Sequence, residues 1–263
     1  MNPDYQQARL ARDPRFDGSF FIAVKTTHIF CRSICPANVP LEKVIGKDKG
    51  WFRVSAVQNK HYLKVEIRLL NIEKLTTVLT NIERMFDLNA DTNTIQTQLL
   101  RCGVPKDTMV TGLRIPGVWD TFEAGCRAIL GQQISVKAAI RLLSQLTKEL
   151  GSTEGDKVYF PTPNAIANSD LSFLKIPHSR RQTLRLLAQH NVNSSDSSVD
   201  DWLNIKGIGP WTVAYAKMRG QTSPDIWLNT DLIVKKQLEK FKIDPELARP
   251  WRSYLTFQLW SMA

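Results

Sequence analysis

The chain has 263 residues, of which 43% are hydrophobic and 23% are charged, the balance of an ordinary soluble globular protein with room for one large or two smaller domains. Its apolar runs are too short to cross a membrane, and its polar N-terminus lacks the apolar core of a secretory signal. Four cysteines in a chain of this length do not form a secreted disulfide framework, which favours a reducing cytoplasm. The net charge of +10 suits a polyanionic partner, although many basic proteins bind none.

The N-terminal part of the sequence predicts a small mixed α/β portion. Residues 20–25 (FFIAVK) form an apolar run typical of a strand. Cys31 and Cys35 follow with Cys-x3-Cys spacing, which is half of a zinc site because tetrahedral zinc binds four ligands. Cys102 and Cys126 stand alone in the sequence. Two reduced thiols in a small hydrophobic unit are therefore the alternative to a metal site.

Residues 11–37 (ARDPRFDGSFFIAVKTTHIFCRSICPA) resemble the opening of the zinc-binding domain of the Ada family of methyl-phosphotriester acceptors. In that family four cysteines bind zinc, and the resemblance implies that Cys31 is the metal-activated thiolate that takes the methyl group. The later Cys-x2-Cys pair of the family has no counterpart in this sequence. We therefore predict a partial Ada-like segment at residues 1–37, with Cys31 and Cys35 as the candidate zinc ligands.

The middle of the chain changes from strands to helices. Residues 38–50 are charged and rich in turn formers, which predicts a junction, and β-rich runs at 51–57 and 61–68 predict a hairpin. Apolar residues then recur at helical spacing from Leu75 to Phe86, which predicts an amphipathic helix. Beyond residue 103 the predicted elements are helices, at residues 118–130, 135–150, 163–168, 171–176, 180–190, 231–241 and 246–260.

The stretch at residues 203–231 (LNIKGIGPWTVAYAKMRGQTSPDIWLNTD) carries the strongest functional signal. Gly207 and Gly209 bracket one aliphatic residue, which allows a tight hairpin, and Pro210 suits the first position of the helix that follows. The free N–H groups at such a helix start can seat a phosphate. Asp231 then stands at the start of another helical run. The pattern predicts a segment that grips a DNA backbone and presents Asp231 to a sugar.

Four passages in order, at residues 112–135, 159–167, 203–231 and 249–260, resemble AlkA, the 3-methyladenine DNA glycosylase II family of the helix-hairpin-helix superfamily. The resemblance implies a mainly α fold, with a glycosylase body at 104–263 and a smaller, shortened α/β portion at 51–103. The first strands of the family's N-terminal domain are missing, so we expect an open sheet edge unless residues 20–25 cover it. The implied activity is base-excision repair of alkylated bases in duplex DNA by a cytoplasmic monomer that requires no cofactor.

The resemblance implies that Asp231 is the catalytic residue, and the chemistry supports this independently. An alkylated purine is cationic and already a good leaving group, so the reaction lacks only a stabiliser for the positive sugar and a positioned water. One ionised carboxylate supplies both. The alternative is that Asp231 only caps the helix that begins at Leu232.

The residue after Pro210 decides the subclass of enzyme. Bifunctional relatives carry a lysine there, which forms a Schiff base with the sugar, whereas this chain has Trp211. The sequence also lacks the clustered four-cysteine set of an iron–sulfur cluster. We therefore predict a monofunctional glycosylase.

The resemblance also implies a pocket for the target base. Tyr215 and Trp260 match pocket aromatics that hold a flipped cationic base, and Trp211 lines the same pocket. Gln133 matches the residue that wedges into the emptied base stack.

For DNA anchoring the resemblance implicates the hairpin backbone at Gly207 and Gly209 together with Thr212. Basic residues near the hairpin are candidate phosphate contacts or simply solvated charges: Lys206, Lys217 and Arg219. Family members often hold a monovalent cation with hairpin carbonyls, which map to Leu203, Ile205 and Ile208. Two other functions stay open at this point, namely a methyl-phosphotriester acceptor acting through Cys31 and a non-catalytic helix-hairpin-helix DNA-binding remnant.

Overall fold

The computed structural model describes residues 50–56, 63–69, 71–154, 157–193 and 198–263, together with three short strands at residues 21–23, 30–32 and 42–45. The chain divides into two compact units. The first comprises residues 1–78 and 130–175, and the second comprises residues 79–129 and 176–263. None of the described helices is long and apolar enough to cross a membrane.

Five strands in the N-terminal part of the first unit pair antiparallel. They are β1 (Phe21–Ala23), β2 (Phe30–Arg32), β3 (Glu42–Ile45), β4 (Gly50–Ala56) and β5 (Leu63–Leu69). β1 pairs with β2, while the other three form one sheet in the order β3-β4-β5. The pairing of β4 with β5 confirms the predicted hairpin.

The sequence of β4 alternates as a half-buried strand should. Phe52 and Val54 are buried, while Arg53 between them lies on the opposite face. Arg53 stands directly across from Glu66 of β5, and its Nη1 lies 3.4 Å from the Glu66 carboxylate. The sheet therefore has one apolar face and one face with a cross-strand ion pair.

β4 pairs with β5 along one edge and with a further strand, β3, along its other edge. The sequence predicts that this other edge is open unless residues 20–25 cover it. β3 lies within residues 38–50, which the sequence predicts as a junction, and it pairs with β4 along its length. The β-branched residues Val44 and Ile45 suit this extended conformation. The described part of the apolar run at 20–25, β1, pairs with β2 and not with this sheet, so β3 rather than that run lies at the edge of β4.

The helices form most of the described chain, which confirms the predicted fold class. In chain order they are α1 (Leu75–Met85), α2 (Thr92–Arg101), α3 (Thr121–Gly131), α4 (Val136–Leu150), α5 (Pro163–Ala167), α6 (His178–Asn193), α7 (Pro210–Gly220), α8 (Leu232–Phe241) and α9 (Arg252–Ser261). Short 3₁₀ helices lie at Ile72–Lys74, Lys106–Thr108 and Val199–Asn204. A two-residue hairpin ladder, β6 (Thr153–Glu154) and β7 (Lys157–Val158), follows α4.

Two predicted helices differ from the structure for local reasons. Residues 171–176 form turns, because the side chains of Ser169 and Asp170 accept the backbone N–H groups of Leu171 and Ser172, and Leu171 has a φ of 55°. The helix predicted at 246–260 begins only at Arg252. Pro250, which has no N–H to donate, interrupts helical hydrogen bonding before that point.

Part of the core of the second unit is an apolar cluster to which four of its helices contribute. α2 and α9 supply several of the buried side chains, and α7 and α8 supply one each; the set includes Ile95, Leu99, Met218, Val234, Leu255 and Leu259. Aromatic residues pack around this cluster in a half-buried layer. The packing fixes the start of α8 and the inner faces of α7 and α9 relative to one another.

The C-terminal end of α7 is held closely in the same unit. The guanidinium of Arg84 donates to the carbonyl of Gly220 at 2.6 Å and to the carbonyls of Val118 and Trp119 at 3.0 and 2.6 Å. A Cβ at Gly220 would lie 2.7 Å from the Cα of Thr121, so only glycine allows this approach of α7 to α3. The position of α7 is therefore defined at its end as well as along its length.

Asp87 closes α1 with a buried hydrogen-bond network. Its backbone adopts a φ of 52°, and its carboxylate Oδ2 accepts the N–H of Ile115 at 3.0 Å and the hydroxyl of Tyr254 at 2.7 Å. Burial raises the pKa of Asp87 above its ordinary value, although the two hydrogen bonds oppose the shift. The folded protein therefore binds this proton more tightly than the unfolded chain does.

A pH dependence of stability follows from the raised pKa of Asp87. The stabilising contribution is complete below the carboxyl pKa of the unfolded chain and is lost as the pH rises through the folded pKa. Asp87→Asn keeps an acceptor for both donors and tolerates the left-handed backbone, but it does not titrate. We expect the unfolding free energy of the wild type, relative to Asp87→Asn, to decrease in urea titrations as the pH rises above the ordinary aspartate pKa of about 4. A pH-independent difference would contradict this, and exposed Asp107→Asn is the control.

Candidate active site

Asp231 occupies the N-cap of α8 in the second unit. Its Oδ1 accepts the backbone N–H groups of Ile233 at 3.0 Å and Val234 at 3.1 Å. A carboxylate in this position satisfies two otherwise unpaired helix amides. Asp231 therefore does cap α8, as the alternative interpretation suggests. The cap fixes the orientation of the carboxylate and still leaves Oδ2 available for another role.

Two indole N–H groups also donate to the Asp231 carboxylate. Nε1 of Trp260 lies 3.1 Å from Oδ1, and Nε1 of Trp211 lies 3.3 Å from Oδ2. Among the described residues, Oδ1 thus receives three donors and Oδ2 receives a single long one. Because a carboxylate oxygen can accept about two strong hydrogen bonds, Oδ2 keeps acceptor capacity for an incoming group. Asp231 is half-buried, so this oxygen is held in place without being sealed off.

Aromatic rings surround the carboxylate in two pairs. Trp211 and Tyr215 lie one turn apart on α7, and their rings stack with centroids 5.2 Å apart at 23°. On α9, Phe257 meets Trp260 edge to face with centroids 5.1 Å apart. Such π faces attract a cationic heterocycle. The structure therefore brings Trp211, Tyr215 and Trp260 together beside Asp231.

Phe257 joins this site although sequence reasoning did not select it. It lies three residues before Trp260, so the two side chains are neighbours on one helix. An i, i+3 aromatic pair on the last helix was the available signal. This signal was weak evidence for a functional role, because aromatic residues on amphipathic helices usually fill the core.

The glycine hairpin precedes α7 and is shaped by α6. The N–H of Ile208 donates to the carbonyl of Ile205 at 3.0 Å, and Gly207 has a φ of 92°. The hydroxyl of Thr183 on α6 donates to the carbonyl of Lys206 at 3.1 Å. These contacts hold the hairpin while Gly207 and the Lys206 side chain stay exposed.

The remaining predicted anchors differ in exposure. Gly209 is the N-cap of α7, and a Cβ there would meet nothing within 4 Å. Thr212 is buried at 2% exposure, so its side chain does not lie on the protein surface. Lys217 is paired with Asp200, with Nζ 2.6 Å from the carboxylate, and Arg219 is 6% exposed. Lys217 and Arg219 are therefore not free surface charges, and Lys206 fits a phosphate contact best.

The other predicted site residues stay predictions. Gln133 lies in the first unit, where it is exposed and has a φ of 56°, a conformation uncommon for residues other than glycine. The carbonyl of Ile205 closes the hairpin turn, and Leu203 and Ile208 flank it as predicted cation ligands. No described contact tests the wedge or the cation.

Only two of the four cysteines, Cys102 and Cys126, have side chains among the described residues. Cys31 lies in β2 with its side chain outside the described residues, and Cys35 lies outside them altogether. Cys102 and Cys126 are buried in the second unit, where burial raises the pKa of Cys102 to about 11 and that of Cys126 well above its ordinary value. The described residues contain no group of three or more His, Cys, Asp or Glu side chains that could hold a metal ion.

Comparison with known proteins places the chain in a family. The model of the AlkA N-terminal domain matches residues 39–120, and the model of the metal binding domain of Ada matches residues 4–46. DNA-3-methyladenine glycosylase 2 of Escherichia coli is 30% identical over 202 residues, which cover 69% of this chain and 70% of that protein. The predicted domain limits at residues 37, 50 and 103 stay predictions beside these matches.

Two further similarities extend the comparison. A probable bifunctional transcriptional activator/DNA repair enzyme AlkA of Mycobacterium tuberculosis is 30% identical over 237 residues, which cover 79% of this chain but 47% of that protein. The chain thus spans about half the length of that relative. The structure of a 3-methyladenine DNA-glycosylase from Archaeoglobus fulgidus superimposes with a TM-score of 0.68 at 16% identity, covering 96% of this chain and 93% of the other. The chain belongs to the DNA-3-methyladenine glycosylase 2 (AlkA) family.

Proposed function

We propose that the chain is a monofunctional DNA glycosylase that hydrolyses the N-glycosidic bond of alkylated bases in duplex DNA. The substrates would be of the 3-methyladenine and 7-methylguanine class. The observation that carries the proposal is the Asp231 carboxylate, held by two helix amides and two indole N–H groups beside stacked aromatic rings. A carboxylate held this firmly requires little reorganisation when positive charge develops next to it.

The geometry suits the departure of a cationic base. As the bond between the sugar C1′ and the ring nitrogen breaks, both electrons go to the base, which leaves neutral, and the positive charge moves to the sugar. Oδ2 of Asp231, with acceptor capacity to spare, stabilises that charge and accepts a hydrogen bond from the attacking water. The water oxygen adds to C1′, and its proton passes to the carboxylate or to solvent.

The pocket has the features that a flipped alkylated base requires. The base must leave the duplex stack to reach Asp231, and the faces of Trp211 and Trp260 offer cation–π attraction and stacking. The name of the Escherichia coli relative, a DNA-3-methyladenine glycosylase, supports the same substrate class. The net charge of +10 and the exposed hairpin at Lys206 and Gly207 support binding to a DNA backbone.

The absence of a lyase step follows from the side chain at position 211. An indole has no amine to form a Schiff base with the opened sugar, and Nε1 of Trp211 instead donates to Asp231. The alternative hypothesis, a methyl-phosphotriester acceptor that acts through Cys31, has less support. That family binds zinc with four cysteines, whereas two of the four cysteines of this chain are buried in the second unit.

Product analysis on one methylated duplex tests the reaction type. We expect the protein to release free methylated base and to leave an abasic strand that stays intact until alkali is added. Sodium borohydride should trap no covalent protein–DNA adduct during turnover. Strand cleavage together with a trapped adduct would contradict the monofunctional assignment. A known bifunctional glycosylase with its own substrate serves as the positive control for trapping.

A further inference from the structure

Arg219 is a buried cation, although nothing in the sequence around it predicts that it is buried. It lies in the last turn of α7 and is 6% exposed. Its Nε and Nη2 have no hydrogen-bond partner among the described residues. A guanidinium is always charged in proteins, and burying its donors unpaired is unfavourable. An apolar side chain of similar size would suit the fold at least as well.

The contacts that Arg219 does make lead to the Asp231 carboxylate by two routes. Its Cζ lies 5.7 Å from the ring centroid of Tyr215 and 5.7 Å from that of Phe257. Tyr215 stacks on Trp211, and Phe257 contacts Trp260 edge to face. Both indoles then donate to Asp231. A buried positive charge and the candidate catalytic negative charge are thus joined by the same aromatic rings.

We propose that Arg219 is a positioning residue whose buried charge, acting through Tyr215 and Phe257, drives positive charge from the bound base toward the sugar beside Asp231. This inference rests on the proposed glycosylase function. Arg219 does not touch the base. It lies behind the aromatic walls that would hold it, while Asp231 faces the sugar.

The direction of the effect follows from the charge movement in the reaction. The base changes from cation to neutral as the glycosidic electrons move onto it, and the sugar gains the positive charge. A guanidinium on the base side disfavours the cationic ground state more than the neutral product, and a carboxylate on the sugar side favours the new cation. The pair therefore stabilises the transition state relative to the bound substrate, which raises kcat, and the repulsion of the bound cation also raises KM to some extent.

Neutral replacements of Arg219 separate this electrostatic role from simple packing. In Arg219→Met and Arg219→Gln we expect kcat for release of a cationic methylated base to fall about tenfold. KM should stay constant or decrease, because a repulsive charge is gone. Thermal unfolding should show equal or higher stability for the Met variant. Arg219→Lys, which restores a charge without the planar fork, should recover most of the loss in kcat.

The contradicting results are equally specific. A wild-type kcat in both neutral variants would overturn the proposal, and so would equal losses in the Met and Lys variants, since packing alone would then explain them. Exposed Arg101→Met, which removes one positive charge elsewhere, should behave as wild type. If the wild type released no base and matched Asp231→Asn, the proposed function would fail as well. If the wild type released base, Asp231→Asn did not, and the Arg219 variants kept the wild-type kcat, the proposed function would be supported and the role of Arg219 would be contradicted.

Discussion

Asp231→Asn is expected to reduce the rate of methylated-base release by about 10³-fold, while the protein stays folded with a small loss of stability. The asparagine side chain keeps a carbonyl oxygen for the N–H groups of Ile233 and Val234, so the N-cap of α8 survives. It loses the negative charge that stabilises the sugar cation. Single-turnover base release and urea unfolding, measured on the same preparations, should show a large kinetic loss and a stability decrease of about 1–2 kcal/mol, because the amide group cannot accept the N–H of Trp211.

Asp91 offers a matched control for the capping role of Asp231. It caps α2 in the same way, with Oδ1 accepting the N–H groups of Asn93 and Thr94 at 3.1 Å each. Asp91→Asn makes the same chemical change at the same kind of cap, away from the aromatic pairs. We expect it to release base at the wild-type rate. A comparable loss in both variants would mean that capping, and not charge beside the sugar, explains the effect.

Gly207→Ala is expected to destabilise the protein by about 2–4 kcal/mol, the largest effect of any single methyl group in the hairpin. Gly207 has a φ of 92°, where residues with a Cβ are strained. The added Cβ would lie 2.1 Å from the Oγ1 of Thr183, which is itself held by the carbonyl of Lys206. The hairpin or α6 must therefore shift, and DNA affinity should decrease together with the unfolding free energy.

Gly209→Ala is the matched comparison two residues away. Gly209 has a φ of −113°, and a Cβ there meets nothing within 4 Å, so we expect a stability change within about 0.5 kcal/mol. If the hairpin backbone approaches a phosphate, the methyl group should still weaken binding to an abasic duplex about tenfold in fluorescence anisotropy. Equal stability of the two variants would contradict the account of Gly207. Unchanged DNA binding by Gly209→Ala would argue against the hairpin as the anchor.

Local patterns in the sequence were sufficient for several elements of the fold and the site. The hairpin of β4 and β5 follows from two β-rich runs with a short polar turn, and α1 follows from its apolar spacing. Asp231, Trp211, Tyr215 and Trp260 were selected from motif and order, and the structure brings them together. Their spacing along α7 and their position at a helix start are short-range features.

Several features were missed, most of them because they depend on contacts between residues far apart in the sequence. β3, which pairs with β4, lies in a stretch that is charged enough to predict a junction. Arg219 and Lys217 look like surface charges in the sequence, because arginine and lysine are rarely buried. Only the packing of α7 shows that one lies under two rings and the other pairs with Asp200. The hydrogen bonds from Trp211 and Trp260 to the Asp231 carboxylate likewise depend on the packing of α7, α8 and α9 against one another.

The central claim is that the second unit forms a working active site in which the Asp231 carboxylate assists departure of an alkylated base. The most direct measurement is the time course of free 3-methyladenine released from methylated duplex DNA by the folded full chain. We expect release well above the spontaneous rate for the wild type and release near that rate for Asp231→Asn. A folded wild-type protein that binds the duplex but releases no base above the spontaneous rate would contradict it, and would favour a non-catalytic DNA-binding protein.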